Sequence, residues 1–249
     1  LGADGARAVA LLRLASAELA AGEFGRAREY LDRADRLDVR AERPQLHTGQ
    51  AAWHLVVTGD RKAVEHHLDE ARRARPRRDG TGQLTDLTNL AVLREDPDVA
   101  TEYLDQALSL AEDPHAHELM GVQAWRRGRR EQAAREWEAA YRLYGRLGDD
   151  TGRARCLQHH GAALLAGPGT EPDRDRGREM LVDSLSLRVS GVGIGVALAH
   201  LYLGEGARSP AEAARHRARG LEALSPWHDQ PMRPDVVTRV RARLEALRE

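Results

Sequence analysis

The stretch PHAHELMGVQAWRRGRREQAAREWEAAYRLY, Pro114 to Tyr144, lies in the segment 114–148 that decides the fold. It reads as two helices folded back on each other. In the first, Met120, Gly121 and Ala124 share one face. In the second, Ala133, Trp137 and Ala140 do the same, at the spacing of one helical stripe. Gly128 marks the turn between them. Small residues at Gly121, Ala133 and Ala140 let the two backbones approach closely, and Trp137 fills the space beside them.

Composition agrees. Apolar residues make up 41% of the chain but aromatics only 4%, so the core must be Ala and Leu, both strong helix formers. Of 38 Lys plus Arg only Lys62 is lysine, and Asn89, Ile194 and Phe24 are single occurrences, a pattern that a GC-rich genome explains. The formal net charge of −1 argues against a broad nucleic-acid surface, although Arg72, Arg73, Arg75, Arg77 and Arg78, and again Arg126, Arg127, Arg129 and Arg130, cluster at turns. A single cysteine, Cys156, excludes an internal disulfide and a multi-cysteine metal site and predicts a reducing, cytoplasmic setting. The chain opens on Leu1 with no basic-then-apolar leader, and the expectation is a piece of a longer protein. The most apolar run, Val189 to Leu203, carries Ser190 and His200 and falls short of the roughly 20 residues a spanning helix needs.

The order in 114–148 (large apolar residue, small residue, apolar residue, turn glycine, Ala, aromatic, Ala) resembles the tetratricopeptide repeat. Related patterns run along nearly the whole chain. Repeat one, 6–37, has Leu11, Leu14 and Ala15, then Gly22, Phe24, Ala27, Leu31 and Ala34. Repeat two, 44–76, has Ala51, Ala52 and Leu55, then Gly59, Val64, Leu68 and Ala71. Repeat three, 83–111, has a clear second helix (Pro97, Ala100, Leu104, Ala107), while either Leu87-Thr88 or Leu90-Ala91 takes the large–small pair in its first. Repeat five, 150–189, has Leu157, His160, Gly161 and Leu164, an inserted loop, then Gly177, Leu181 and Ser184. Repeat six, 190–225, has Leu198, Ala199 and Tyr202, then Ala214, Ala218 and Leu221. Residues 232–248, with Val236, Val240, Leu244 and Leu247 on one face, look like the terminal helix that caps an open repeat array. The resemblance implies an all-α solenoid of about six such hairpins in a single domain, 1–249. The long units and the 143–152 linker also resemble the repeats in sensor regions of bacterial transcriptional regulators.

In that family the first helix of each pair lines a groove that takes a protein or peptide. Carried over by position, the groove residues are Arg13 and Ser16, Gln50 and Trp53, Asp86 and Asn89, Glu118, Val122, Trp125 and Arg126, Arg155, Gln158 and His159, and His200. Asn89 can donate and accept at once, which suits an extended peptide backbone. Trp53 and Trp125 offer apolar area with an indole donor, or else pack between repeats. Trp137 reads as core, and Trp227 as a cover for the end of repeat six. The set lacks the Lys and Asn ring with which some relatives clamp a terminal carboxylate. His66-His67, His115-x-His117 and His159-His160 lack metal-ligand spacing, so neither a metal nor a cofactor is expected. Gly191-Val-Gly193-Ile-Gly195 has no strand before it and is set aside as a dinucleotide loop.

The leading expectation is therefore a non-enzymatic protein- or peptide-binding scaffold in a larger regulatory protein. Two alternatives stand beside it: an enzyme centred on Glu118, His159 and His200, and a structural oligomerisation module. A homo-oligomer is possible on this reading, and no membrane is expected.

Overall fold

The computed structural model describes residues 2–76, 79–188, 193–227 and 235–247. Among the described residues there are thirteen α-helices and no strand: α1 (Ala3–Ala21), α2 (Phe24–Asp35), α3 (Arg43–Trp53), α4 (Arg61–Ala74), α5 (Gly80–Leu93), α6 (Pro97–Leu110), α7 (Pro114–Arg126), α8 (Arg130–Leu147), α9 (Asp150–Ala166), α10 (Glu171–Ser186), α11 (Ile194–Glu205), α12 (Pro210–Ala223) and α13 (Asp235–Glu245). The fold is an all-α helical-repeat architecture built of hairpins. None of these helices is long and apolar enough to cross a membrane.

The α7/α8 hairpin shows why this sequence turns where it does. Asp113 caps α7 by accepting from the Ala116 amide at 2.8 Å, and Pro114 follows at the first helical position, where no amide is needed. Gly128 ends the helix at φ 74°, a region that a side chain disfavours. Gly22 and Gly59 end the first helices of the two earlier hairpins in the same left-handed way. In α8, Ala133, Trp137 and Ala140 are all buried, and the Trp137 indole lies directly on Gly121 of α7. A side chain at 121 would occupy the same space as the ring. Asp60, Asp79, Asp96, Asp149 and Ser209 cap α4, α5, α6, α9 and α12 with their side chains.

Contacts group the chain into two compact units that divide between Glu95 and Asp96, inside the third expected repeat. The first unit holds hairpins α1/α2 and α3/α4 followed by α5. Successive helices pack on one another, and α1 also touches α3. The second unit holds α6, hairpins α7/α8, α9/α10 and α11/α12, and α13 from Val236 onward. There α7 touches α9 and α9 touches α11, so the first helices of consecutive hairpins form a continuous face.

Second helices follow the expected spacing closely. Val64, Leu68 and Ala71, then Ala100, Leu104 and Ala107, then Gly177, Leu181 and Ser184 are all buried. Ser184 stands where the pattern prefers alanine, and its hydroxyl is satisfied by the Ala154 carbonyl at 2.8 Å.

Several expected positions shift. In α1 the buried stripe is Ala8, Leu11, Leu12 and Ala15, which leaves Leu14 44% exposed. In repeat two, His54–Thr58 forms a π-helical turn, closed by the Gly59 amide on the His54 carbonyl at 2.9 Å. The extra residue turns Leu55 outward to 42% exposure. In α5, Leu90 and Ala91 are both buried while Leu87 is half-buried, which selects the second of the two registers. In α12 the buried small residues are Ala213, Gly220 and Ala223, not Ala214 and Ala218, because alanines occur on several faces of that helix and do not mark one. The terminal helix starts at Asp235 and buries Val237, Val240 and Leu244, with Val236 beside that stripe. Residues 191–192 of the glycine run, residues 232–234 and the Trp227 side chain fall outside what is described.

Candidate functional site

Two clefts run along the faces made by first helices, one in each unit. In the first unit, Val9, Leu12, Arg13 and Ser16 of α1, Gln45, Thr48, Gly49 and Ala52 of α3, and Arg75, Gly82 and Thr85 around the start of α5 enclose about 610 Å³. In the second unit a cleft of about 350 Å³ lies between α7, α9 and α11. Its walls are Val122 and Trp125, Ala162, Leu165 and Ala166, and Tyr202. Its polar edge is His159 with the Glu205–Arg243 ion pair, 2.6 Å long. The Arg243 guanidinium also sits 5.8 Å from the Tyr202 ring centroid. Apolar walls with a few placed polar groups are the usual make-up of a binding cleft.

Below this face α7, α8 and α9 hold a buried polar centre. Glu118 is 3% exposed. Its carboxylate accepts from Arg155 Nε and Nη2, each at 2.9 Å at closest, and from the Tyr144 hydroxyl at 2.8 Å. His159 Nε2 lies 3.4 Å away. Burial alone would raise the Glu118 pKa, but His115, His159 and Arg155 together hold it far below the usual carboxylate range. Burial and then the Glu118 charge push the Tyr144 hydroxyl and the Cys156 thiol well above their ordinary values. This is a satisfied ion-pair network, with no nucleophile prepared for chemistry.

The expected groove residues divide into those that face a cleft and those held by the fold. Arg13 and Ser16 line the first cleft; Val122, Trp125 and His159 line the second. Asn89 is half-buried and makes no side-chain hydrogen bond among the described residues. Arg126 is exposed and donates to Gln123 at 3.0 Å. The others are engaged internally. Gln50 is buried beside His47 at 3.1 Å. Trp53 donates to the Phe24 carbonyl at 3.0 Å and packs on the core of the first hairpin. Asp86 is 1% exposed, and Arg75 grips it at 2.7 and 2.9 Å. Glu118 and Arg155 hold each other. Gln158 is buried and accepts from Arg188. His200 is buried against His216, with 3.1 Å between their Nδ1 atoms. Among the described residues no hydrogen bond joins His200 to Glu118 or His159, so those three side chains do not form one reacting centre.

Sequence reasoning did not pick out Gln45, Thr48, Thr85, Tyr202, Glu205 or Arg243 as cleft residues. The repeat-six pattern put Tyr202 on a stripe with Leu198 and Ala199, whereas its half-buried ring lines the cleft. Arg243 arrives from α13, which follows residues that carry no repeat pattern.

Histidines cluster in the first unit as well. His47 and His67 stack with centroids 5.6 Å apart, and His54 and His67 with centroids 5.4 Å apart. Burial and the neighbouring His47, His54, His66 and Arg28 lower His67 to about 4. Among the described residues no group of three His, Cys, Asp or Glu side chains converges as a metal site would require.

No protein-family model matches the chain, and no curated protein matches it. Solved structures do. The crystal structure of BtubC (BKLC) from P. vanneervenii aligns over 99% of this chain and 94% of its own at 15% identity, with a TM-score of 0.50. YrrB, described as a TPR protein with an unusual peptide-binding site, aligns over 73% of this chain and 86% of its own at 22% identity, with a TM-score of 0.40. At 15% identity the likeness to BtubC speaks to the helical fold alone.

Proposed function

We propose that this chain is a non-enzymatic protein- or peptide-binding scaffold, the interaction or ligand-sensing region of a larger regulatory protein. The observation that carries the reading is the cleft between α7, α9 and α11, where Trp125 and Tyr202 face open space beside His159 and the Glu205–Arg243 pair. Exposed aromatic anchors with a polar rim are the groups that dominate peptide recognition. The first-unit cleft, with Arg13, Ser16, Gln45 and Thr48, adds donors and acceptors suited to a peptide backbone. Ligand capture would change how successive hairpins pack and pass that change to a neighbouring domain.

The test is selection of peptides from a displayed random library, followed by calorimetry on the enriched sequences. Wild type, Trp125→Ala, Tyr202→Ala and a control on the exposed side of α8, Arg142→Ala, are compared. A loss of about tenfold or more in affinity for the two aromatic variants, with the control unchanged, supports the cleft. Failure to enrich any peptide, or binding indifferent to both aromatic variants, sinks it.

A further inference from the structure

Among the described residues, Arg188 is a cation with no counter-ion. It follows α10, is partly buried, and its Nε is wholly buried with no hydrogen-bond partner. Its one polar contact among the described residues is neutral: Nη2 donates to the Gln158 side-chain oxygen at 2.7 Å. Gln158 is itself only 6% exposed, and its amide nitrogen makes no hydrogen bond among the described residues. The charge that acts on Arg188 is that of another cation, Arg155, itself paired with Glu118 at 2.9 Å. The guanidinium also lies on the opening turn of α11, where a side chain at Gly195 would collide with Nη1. That turn has no side-chain cap and no acidic residue, so its free amides add positive potential. Placing a partly dehydrated cation against a second arginine and a helix N-terminus is costly unless an anion completes the set.

We infer that Arg188, the Gln158 amide and the opening turn of α11 form a subsite for a phosphoryl group. Charge selects this anion over a carboxylate. Arg155 and Arg188 against Glu118 leave one positive charge, and the helix end adds about half of another. The total of about +1.5 matches a phosphate monoester, at about −1.5 to −2, better than a single carboxylate. A guanidinium offers the forked donors that phosphate oxygens accept. The site stands independently of the peptide reading, because its probe is inorganic phosphate and none of its residues lines the cleft at Trp125.

The experiment is calorimetric and thermal titration of the whole chain with inorganic phosphate, with acetate and chloride as controls at constant ionic strength. Phosphate is expected to raise the melting temperature in a saturable way and to bind at least about tenfold more tightly than acetate. Arg188→Met is expected to lose the phosphate response, yet melt no lower than wild type in phosphate-free buffer, since it removes an uncompensated charge. Arg188→Lys, which keeps the charge but loses the fork, is expected to bind phosphate several-fold more weakly than wild type. A phosphate effect no larger than that of chloride overturns the assignment. So does an equal response to acetate, a response retained in Arg188→Met, or an Arg188→Met protein that is destabilised in the absence of phosphate.

Discussion

The Tyr144 hydroxyl donates to the Glu118 carboxylate across 2.8 Å, and both residues are at least 96% buried. With Arg155 the pair ties α7, α8 and α9 together, so it joins one hairpin to the next. Removing one member of such a network leaves the others unpaired. Tyr144→Phe is expected to cost about 1.5–3 kcal/mol, the range for a hydrogen bond to a charged group. Glu118→Ala is expected to cost about 3–5 kcal/mol by stranding Arg155. Urea denaturation measures both; changes under about 0.5 kcal/mol would show that solvent replaces the network.

Three glycines are expected to respond in different ways to alanine. At Gly121 the new methyl collides with the Trp137 ring, and the overpacking cost is about 1–3 kcal/mol. At Gly128 space is open but φ is 74°, so the cost is backbone strain of about 1–2 kcal/mol. At Gly145, exposed within α8, the nearest side-chain atom to an added Cβ is 3.9 Å away. Helix propensity then favours alanine by about 1 kcal/mol. Thermal melts of the three variants should fall on both sides of wild type, and a Gly145→Ala protein that melts lower than wild type would contradict this account of α8.

Acid should destabilise the chain before its carboxylates titrate. Burial, with His47, His54, His66 and Arg28 nearby, brings His67 to about 4; burial, with His216 and Arg219 nearby, does the same for His200. Both folded values lie below the ordinary 6.5, so the unfolded chain takes up these protons first. Stability from this source is complete above pH 6.5, falls as pH drops toward 4, and then levels off. Each residue contributes on the order of 2–3 kcal/mol over that span. Glu118 is shifted in the same direction, held far below the usual carboxylate range, and its contribution disappears only at lower pH, below its unfolded value. Urea midpoints at pH 7, 6 and 5 should therefore fall, and fall less in His200→Gln. A midpoint constant over that range would mean that the histidines take up protons equally in the folded and unfolded states.

Cys156 should be silent to thiol reagents. It is 2% exposed, and burial beside Glu118 disfavours the thiolate that reacts. Labelling under native conditions is expected to proceed only at the rate of unfolding, and to become immediate in denaturant. Fast native labelling would place the thiol at the surface.

Leu55→Ala and Leu68→Ala test the π-turn. The exposed Leu55 should lose no more than about 0.5 kcal/mol, whereas the fully buried Leu68 should lose about 2–5 kcal/mol. Similar losses at both sites would restore an unbroken α-helical register through His54–Thr58.

The sequence by itself determined the helices, the turns and most of the second-helix cores. Those are local properties: Gly128 must take a positive φ, aspartates must cap, and the Ala133, Trp137, Ala140 spacing admits one stripe whatever surrounds it. It also placed Arg13, Val122, Trp125 and His159 on faces that line clefts. Only the tertiary structure decided which polar residues remain free, because that depends on partners far along the chain. Asp86 is held by Arg75, Glu118 by Tyr144 and Arg155, and His200 by His216, and no helical period encodes such pairings. Registers in Ala-rich α12 and in the π-turn were settled the same way. Where small residues mark several faces, or one extra residue rotates the helix, packing against the neighbouring helix chooses the side that is buried.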